Sequence, residues 1–139
     1  MRVTGWEQQL EQFLAQRARR RFAWCRNDCA QLALGAIRAI TGRDLGPHAV
    51  YRGRKGAARF LRTFAGAGLL AAARRVAREN GFAEVAPGLA QRGDVAACMT
   101  AKGVVLAVVG LDGQLRVFDQ GGRLAAVPVT RAFTAWRVA

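Results

Sequence analysis

A chain of 139 residues with 52% hydrophobic side chains is long enough for one domain with one core and too apolar to be disordered by composition. Its 22 Lys and Arg against 9 acids leave a net charge of +13, unevenly spread: residues 1–80 carry 16 cations and 5 acids, residues 81–139 carry 6 and 4. The basic first half points to an acidic or polyanionic partner, but the cations are almost all arginine and no nucleic-acid module is visible, while three cysteines and one histidine argue against a disulfide framework and a tetrahedral metal site.

The start, MRVTGWEQQLEQ, has no apolar signal-peptide core. Trp6, Leu10, Phe13 and Leu14 recur at helical spacing and predict an amphipathic helix capped by Thr4, with its acids early and Arg17 to Arg21 late, as the helix dipole favours. A second helix is expected directly after Asn27-Asp28. Cys29, Leu32, Ala33, Ala36, Ile37 and Ile40 form one unbroken apolar stripe, which Thr41-Gly42 ends. The polar, glycine-rich stretch GRDLGPHAVYRGRKG reads as a loop, in which Arg52, Arg54 and Lys55 are candidates for an exposed contact surface. Two further helices are expected over Ala57 to Phe64 and Leu69 to Glu79, the latter stopped by Asn80-Gly81. The stretch AGAGLLAAA, followed by Arg74-Arg75, is far too short to span a bilayer, so a chain soluble when made is expected.

From residue 92 the hydrophobic period changes. RGDVAACMTA, GVVLAVVG, LRVFDQ, RLAAVPV and FTAWRV are short, valine-rich and separated by turn signals, with Gly110 to Gly113 as a tight hairpin. Val104 to Val109 is apolar throughout, as a central strand covered on both faces requires. Trp136 is expected to close a sheet edge, and Asp94 to satisfy backbone donors at a turn. Helices first and an antiparallel sheet after them give an α+β fold in a single domain, residues 1–139.

Cys29 carries the functional question. A helix start offers free N–H groups and a partial positive charge, which can bring a thiol from about 8.5 down to roughly 3.5–7.5. Cys29 also lies on the apolar stripe, where a cysteine can simply pack. A thiol at a helix start pressed on an antiparallel sheet is the layout of papain-like thiol hydrolases, which need a histidine base on a facing strand. The sole histidine, His48, follows Cys29 by nineteen residues. The intervening helix of about thirteen residues rises roughly 20 Å, so the loop must run back its full length to bring the imidazole within about 3 Å of the thiol.

The segments RFAWCRNDCAQLALGAIRAITGRDL, RGDVAA, GVVLAVVGLDGQLRVFD and AFTAWRV together resemble a family of small proteins encoded in tail modules of bacteriophages and gene-transfer particles, related to the NlpC-type branch of papain-like cell-wall peptidases. The most specific pieces are Phe22, Trp24, Asp28 and Cys29, then Gly93-Asp94. The resemblance implies a papain-like (NlpC-type) fold, with N-terminal helices packed on a C-terminal antiparallel sheet and Cys29 as the nucleophile position. It puts the catalytic histidine at about Val104, and valine cannot accept a proton. Asp119 falls where an orienting residue would lie, and Cys25 stands where the family pattern favours glycine. The resemblance therefore implies a tail-tip structural protein on a peptidase fold that has lost its base, carried in the virion, made in the host cytoplasm, needing no cofactor or metal, and docked on other tail-tip or hub proteins. The alternative it implies is an active cysteine peptidase or amidase acting on peptidoglycan stem peptides during genome delivery.

Overall fold

A computed structural model describes residues 1–45 and 50–139. Four helices come first: α1 (Trp6–Ala18), α2 (Cys29–Thr41), α3 (Gly53–Ala65) and α4 (Leu69–Glu79). Six strands follow: β1 (Glu84–Val85), β2 (Val95–Thr100), β3 (Gly103–Val109), β4 (Leu115–Phe118), β5 (Leu124–Val127) and β6 (Ala132–Trp136). They form one antiparallel sheet in the order β1-β6-β2-β3-β4-β5, so the fold is α+β.

α1 buries Leu10 and Leu14, and Trp6 and Phe13 pack beside them. Its N-cap is Gly5 at φ 76°, not the expected Thr4. The Trp6 N–H bonds back to the Val3 carbonyl at 3.2 Å, and the chain reverses into the helix through a left-handed residue that glycine supplies without a Cβ clash. α2 buries Leu32, Ala33, Ala36, Ile37 and Ile40, as its stripe predicts, and ends at left-handed Gly42. The two helices approach closely at Gly35, where a Cβ would overlap the Phe13 ring.

α3 starts at Gly53, four residues ahead of the expected Ala57. Glycines at positions 53 and 56 lower helix propensity, but the first turn makes few intrahelical N–H bonds, so the amphipathic pattern of Ala57, Phe60, Leu61 and Phe64 carries the start backwards. α4 runs over the expected residues.

β3 is flanked by β2 and β4, with Val95 opposite Val108 and Val108 opposite Arg116. Leu106 and Val108 face α1 and α2 in one cluster with Val95, Ala97 and Trp136. Ala107 and Val109 face a second cluster with Ala96, Cys98, Leu115 and Ala135, against which Val85, Ala90 and Val129 pack beside two short 3-10 turns, Pro87–Leu89 and Val129–Arg131. The continuous apolar run of β3 and the burial of Cys98 follow from this double cover. Trp136 does not close an edge: β6 lies between β1 and β2, and the indole, 3% exposed, donates Nε1–H to Glu84 at 3.2 Å.

Asp94 sits at the start of β2, fully buried. Its Oδ2 accepts from the Gln91 N–H (2.8 Å) and Arg137 Nε (3.0 Å), and its Oδ1 accepts from the Val138 N–H (3.2 Å) and Arg2 Nη2 (3.4 Å). It meets the expected backbone donors and, beyond them, ties both ends of the chain to the sheet.

Candidate functional site

The approach to α2 is a tight turn. Ala23 and Asn27 exchange backbone hydrogen bonds of 3.2 and 2.8 Å, leaving Trp24, Cys25 and Arg26 as the loop. Cys25 adopts φ 69°, the one non-glycine residue with positive φ among those described. This is the position where the sequence resemblance favours glycine, and the backbone geometry gives the reason. Cys25→Gly should therefore stabilise the protein by about 1 kcal/mol in denaturant melts, and Cys25→Val should destabilise it. A drop in stability for Cys25→Gly would mean that side-chain packing outweighs the left-handed strain.

Asp28 holds the turn against the helix. Its Oδ1 accepts from the Gln31 N–H at 2.9 Å, capping α2, and its Oδ2 accepts from the Cys25 N–H at 2.9 Å. The Tyr51 hydroxyl also donates to Asp28 Oδ2. Burial, together with that bond to a carboxylate, pushes the Tyr51 phenol well above its ordinary range. Asn27 closes the preceding segment by donating Nδ2 to the carbonyls of Arg20 and Arg21.

Cys29 is the first residue of α2, and its sulfur lies against the backbone of Leu106 on β3. The residue is partly exposed, but the thiol itself is packed, and burial pushes its pKa up to about 11. The Leu106 N–H and the helix-start N–H groups of Cys29 and Ala30 pull the other way, and the Asp28 charge adds to the rise. The helix-start effect expected from the sequence is present and is outweighed by desolvation.

Val104 lies two residues from Leu106 on the same strand and so on the same, α2-facing side. Val104, Cys29 and Asp119 all line one cavity of about 730 Å³, together with Tyr51 and Arg54. Asp119 Oδ1 is engaged by the Arg123 N–H at 2.9 Å, where it closes the β4–β5 turn. The one candidate base, His48, lies outside the described residues. Arg52, Arg54 and Lys55 are all exposed; Arg52 precedes α3, and Arg54 turns onto the cavity. Cys29 and Cys98 are free thiols, and no cluster of metal-ligating side chains occurs among the described residues.

An aromatic group stands at this end of the cavity: Phe22 meets Trp24 edge-on at 4.9 Å and Phe118 edge-on at 5.5 Å. Trp24 is 41% exposed, so it is only partly packed at the entrance to α2. Sequence reasoning missed Tyr51. The usable signal was its being the only tyrosine in the chain, set in a loop of glycine and arginine. No helix among the described residues is long and apolar enough to cross a membrane.

No curated protein and no solved structure matches the chain. A family model described as a domain of unknown function (DUF6950) matches residues 1–138, nearly the whole of the α+β unit that holds Cys29, Asp28 and Tyr51 at the start of α2. The chain belongs to the DUF6950 family.

Proposed function

We propose that this protein is a structural component of the tail tip of a bacteriophage or gene-transfer particle, built on an NlpC-type papain-like fold that lacks its catalytic base. The observation that carries the reading is the pairing of Cys29 with β3: a helix-start thiol against an antiparallel sheet, with valine at the position where the related peptidases carry histidine. A thiol held near pKa 11 is a poor nucleophile at neutral pH, because the thiolate is the reacting form. The resemblance in Phe22, Trp24, Asp28 and Cys29 supplies the tail-module context. The exposed arginines and lysine of the α3 region, Arg52, Lys55, Arg59 and Arg62, have no acid among them and suit acidic surfaces on neighbouring tail proteins.

The competing reading is an active peptidase on peptidoglycan stem peptides. One observation favours it: Cys29 lines a cavity instead of being sealed in the core. The two separate in the particle-producing element itself. Cys29→Ala should leave particle assembly and genome delivery at wild-type levels, whereas deleting the chain should abolish intact particles. Normal assembly with delivery lowered by orders of magnitude in Cys29→Ala, the usual consequence of removing a nucleophile, would overturn the structural reading.

A further inference from the structure

α3 is held differently from the other helices. α1, α2 and α4 each bury at least two side chains, whereas α3 buries none. Its apolar side, Ala57, Ala58, Phe60, Leu61 and Phe64, is half-buried and lines the cavity of about 730 Å³, whose other walls include Ile37 of α2 and Leu106 of β3. A helix over unfilled space forfeits the close contacts that dispersion needs, so packing across the cavity does little to fix it in place.

The ties that do hold α3 sit at its two ends. Tyr51 rides on the helix: its ring lies 6.1 Å from that of Phe60, near-parallel at 17°, and Phe60 stacks in turn on Phe64 at 6.0 Å. From this stack the Tyr51 hydroxyl reaches off α3 to Asp28 Oδ2 at the start of α2. At the other end Arg75 of α4 sets its guanidinium 4.5 Å from the centroid of the Phe64 ring and donates Nη1 to the Phe64 carbonyl. Between the two helices the chain runs through exposed Gly66, Ala67 and Gly68. Gly66 is left-handed at φ 74°, and a Cβ at either glycine would meet nothing within 4 Å, so no neighbour braces this turn. A helix with little buried surface, a flexible joint at one end and a single polar bond at the other has the make-up of a segment that opens locally.

We propose that α3 is a lid over the cavity, pivoting at residues 66–68 and latched at its far end by the Tyr51–Asp28 hydrogen bond. Opening swings the Tyr51 end away from α2 and uncovers the cavity wall that holds Cys29, while α3 stays helical and the sheet is undisturbed. Asp28 keeps its bonds from the Cys25 and Gln31 N–H groups, so the cap of α2 survives the opening. The lid works in the same way whether or not Cys29 reacts.

The test reads access beneath α3. Ala33 of α2 is buried and lines the cavity, so Ala33→Cys places a thiol under the lid. Its labelling by N-ethylmaleimide at pH 7 is mapped by mass spectrometry with and without Tyr51→Phe, which keeps the ring stack and removes only the hydroxyl. Loss of a hydrogen bond to a carboxylate should shift the closed–open balance and speed labelling at position 33 by about tenfold. Cys98, buried in the cluster on the other face of the sheet, serves as the internal reference and should keep its wild-type rate. Amide hydrogen exchange along α3 should also be unchanged, because a swinging helix keeps its internal bonds. Unaltered labelling at position 33 overturns the proposal. So does a parallel rise at Cys98, which would make Tyr51 a support of the whole domain, or accelerated exchange along α3, which would show the helix melting instead of moving as a unit.

Discussion

Asp94→Ala is expected to remove about 3–5 kcal/mol of folding stability, the largest loss from any single side chain outside the apolar core. The carboxylate is fully buried and receives two backbone N–H groups and two arginines. Alanine leaves the Gln91 and Val138 N–H groups with no acceptor. It also deprives Arg2 and Arg137, only 21% and 31% exposed, of the carboxylate they pair with. Because Arg2 also donates Nε to the Val138 carbonyl at 2.9 Å and stacks on Trp6, the loss spreads to both chain ends. Against a total of about 5–15 kcal/mol for a domain, such a loss approaches global unfolding. Urea melts with an unchanged slope and a lowered midpoint would confirm it; a loss below about 1 kcal/mol would mean that the carboxylate is not the tie between the termini.

Val104→His is expected to give the largest change in chemistry. Val104 shares the α2-facing side of β3 with Leu106, whose backbone meets the Cys29 sulfur, and both residues line the cavity, so an imidazole has room there. A histidine able to take the thiol proton would stabilise the thiolate as an ion pair and lower the pKa of Cys29 from about 11. Alkylation of Cys29 by iodoacetamide at pH 7 should rise at least tenfold, because the thiolate fraction sets the rate. Val104→Gln, polar and of similar bulk but not a base, should leave the rate unchanged. A folded Val104→His protein with unaltered labelling would show that residue 104 is not the base position, and the peptidase kinship would lose its main geometric support.

How much of this was legible in the sequence depended on what each feature is made of. The α2 stripe and its Asp28 cap are local and periodic, and so is the α4 stop at Asn80-Gly81; all three were readable. The five strands from residue 95 were readable from their valines and turns, and β3 from its unbroken apolar run. β1 was not, since two residues carry no alternation; it exists because Glu84 and Val85 pair with Trp136 and Ala135. That pairing is also why Trp136 lies inside the sheet and not at its rim. The Tyr51 bond to Asp28 joins residues 23 apart through a loop, and no pattern announces it. The direction of the Cys29 shift was hidden for a related reason. Helix-start stabilisation can be read from sequence position, but desolvation depends on how closely α2 sits on β3. The cavity is a further step removed: amphipathic faces on α3 and α4 are visible in the sequence, whereas whether they meet the sheet or leave space above it is a matter of packing.

The most direct test of the central claim, that Cys29 is a buried neutral thiol with no working base beside it among the described residues, is the pH profile of its alkylation. Native protein is treated with iodoacetamide from pH 6 to pH 11 and the label is mapped to each cysteine, with denatured protein as the reference. Cys29 should label with a midpoint above pH 10 in the native protein and near pH 8.5 when denatured, so that at pH 7 the native rate is slower by a factor of about 300. Native labelling of Cys29 with a midpoint below pH 8 would contradict it and identify an activated nucleophile.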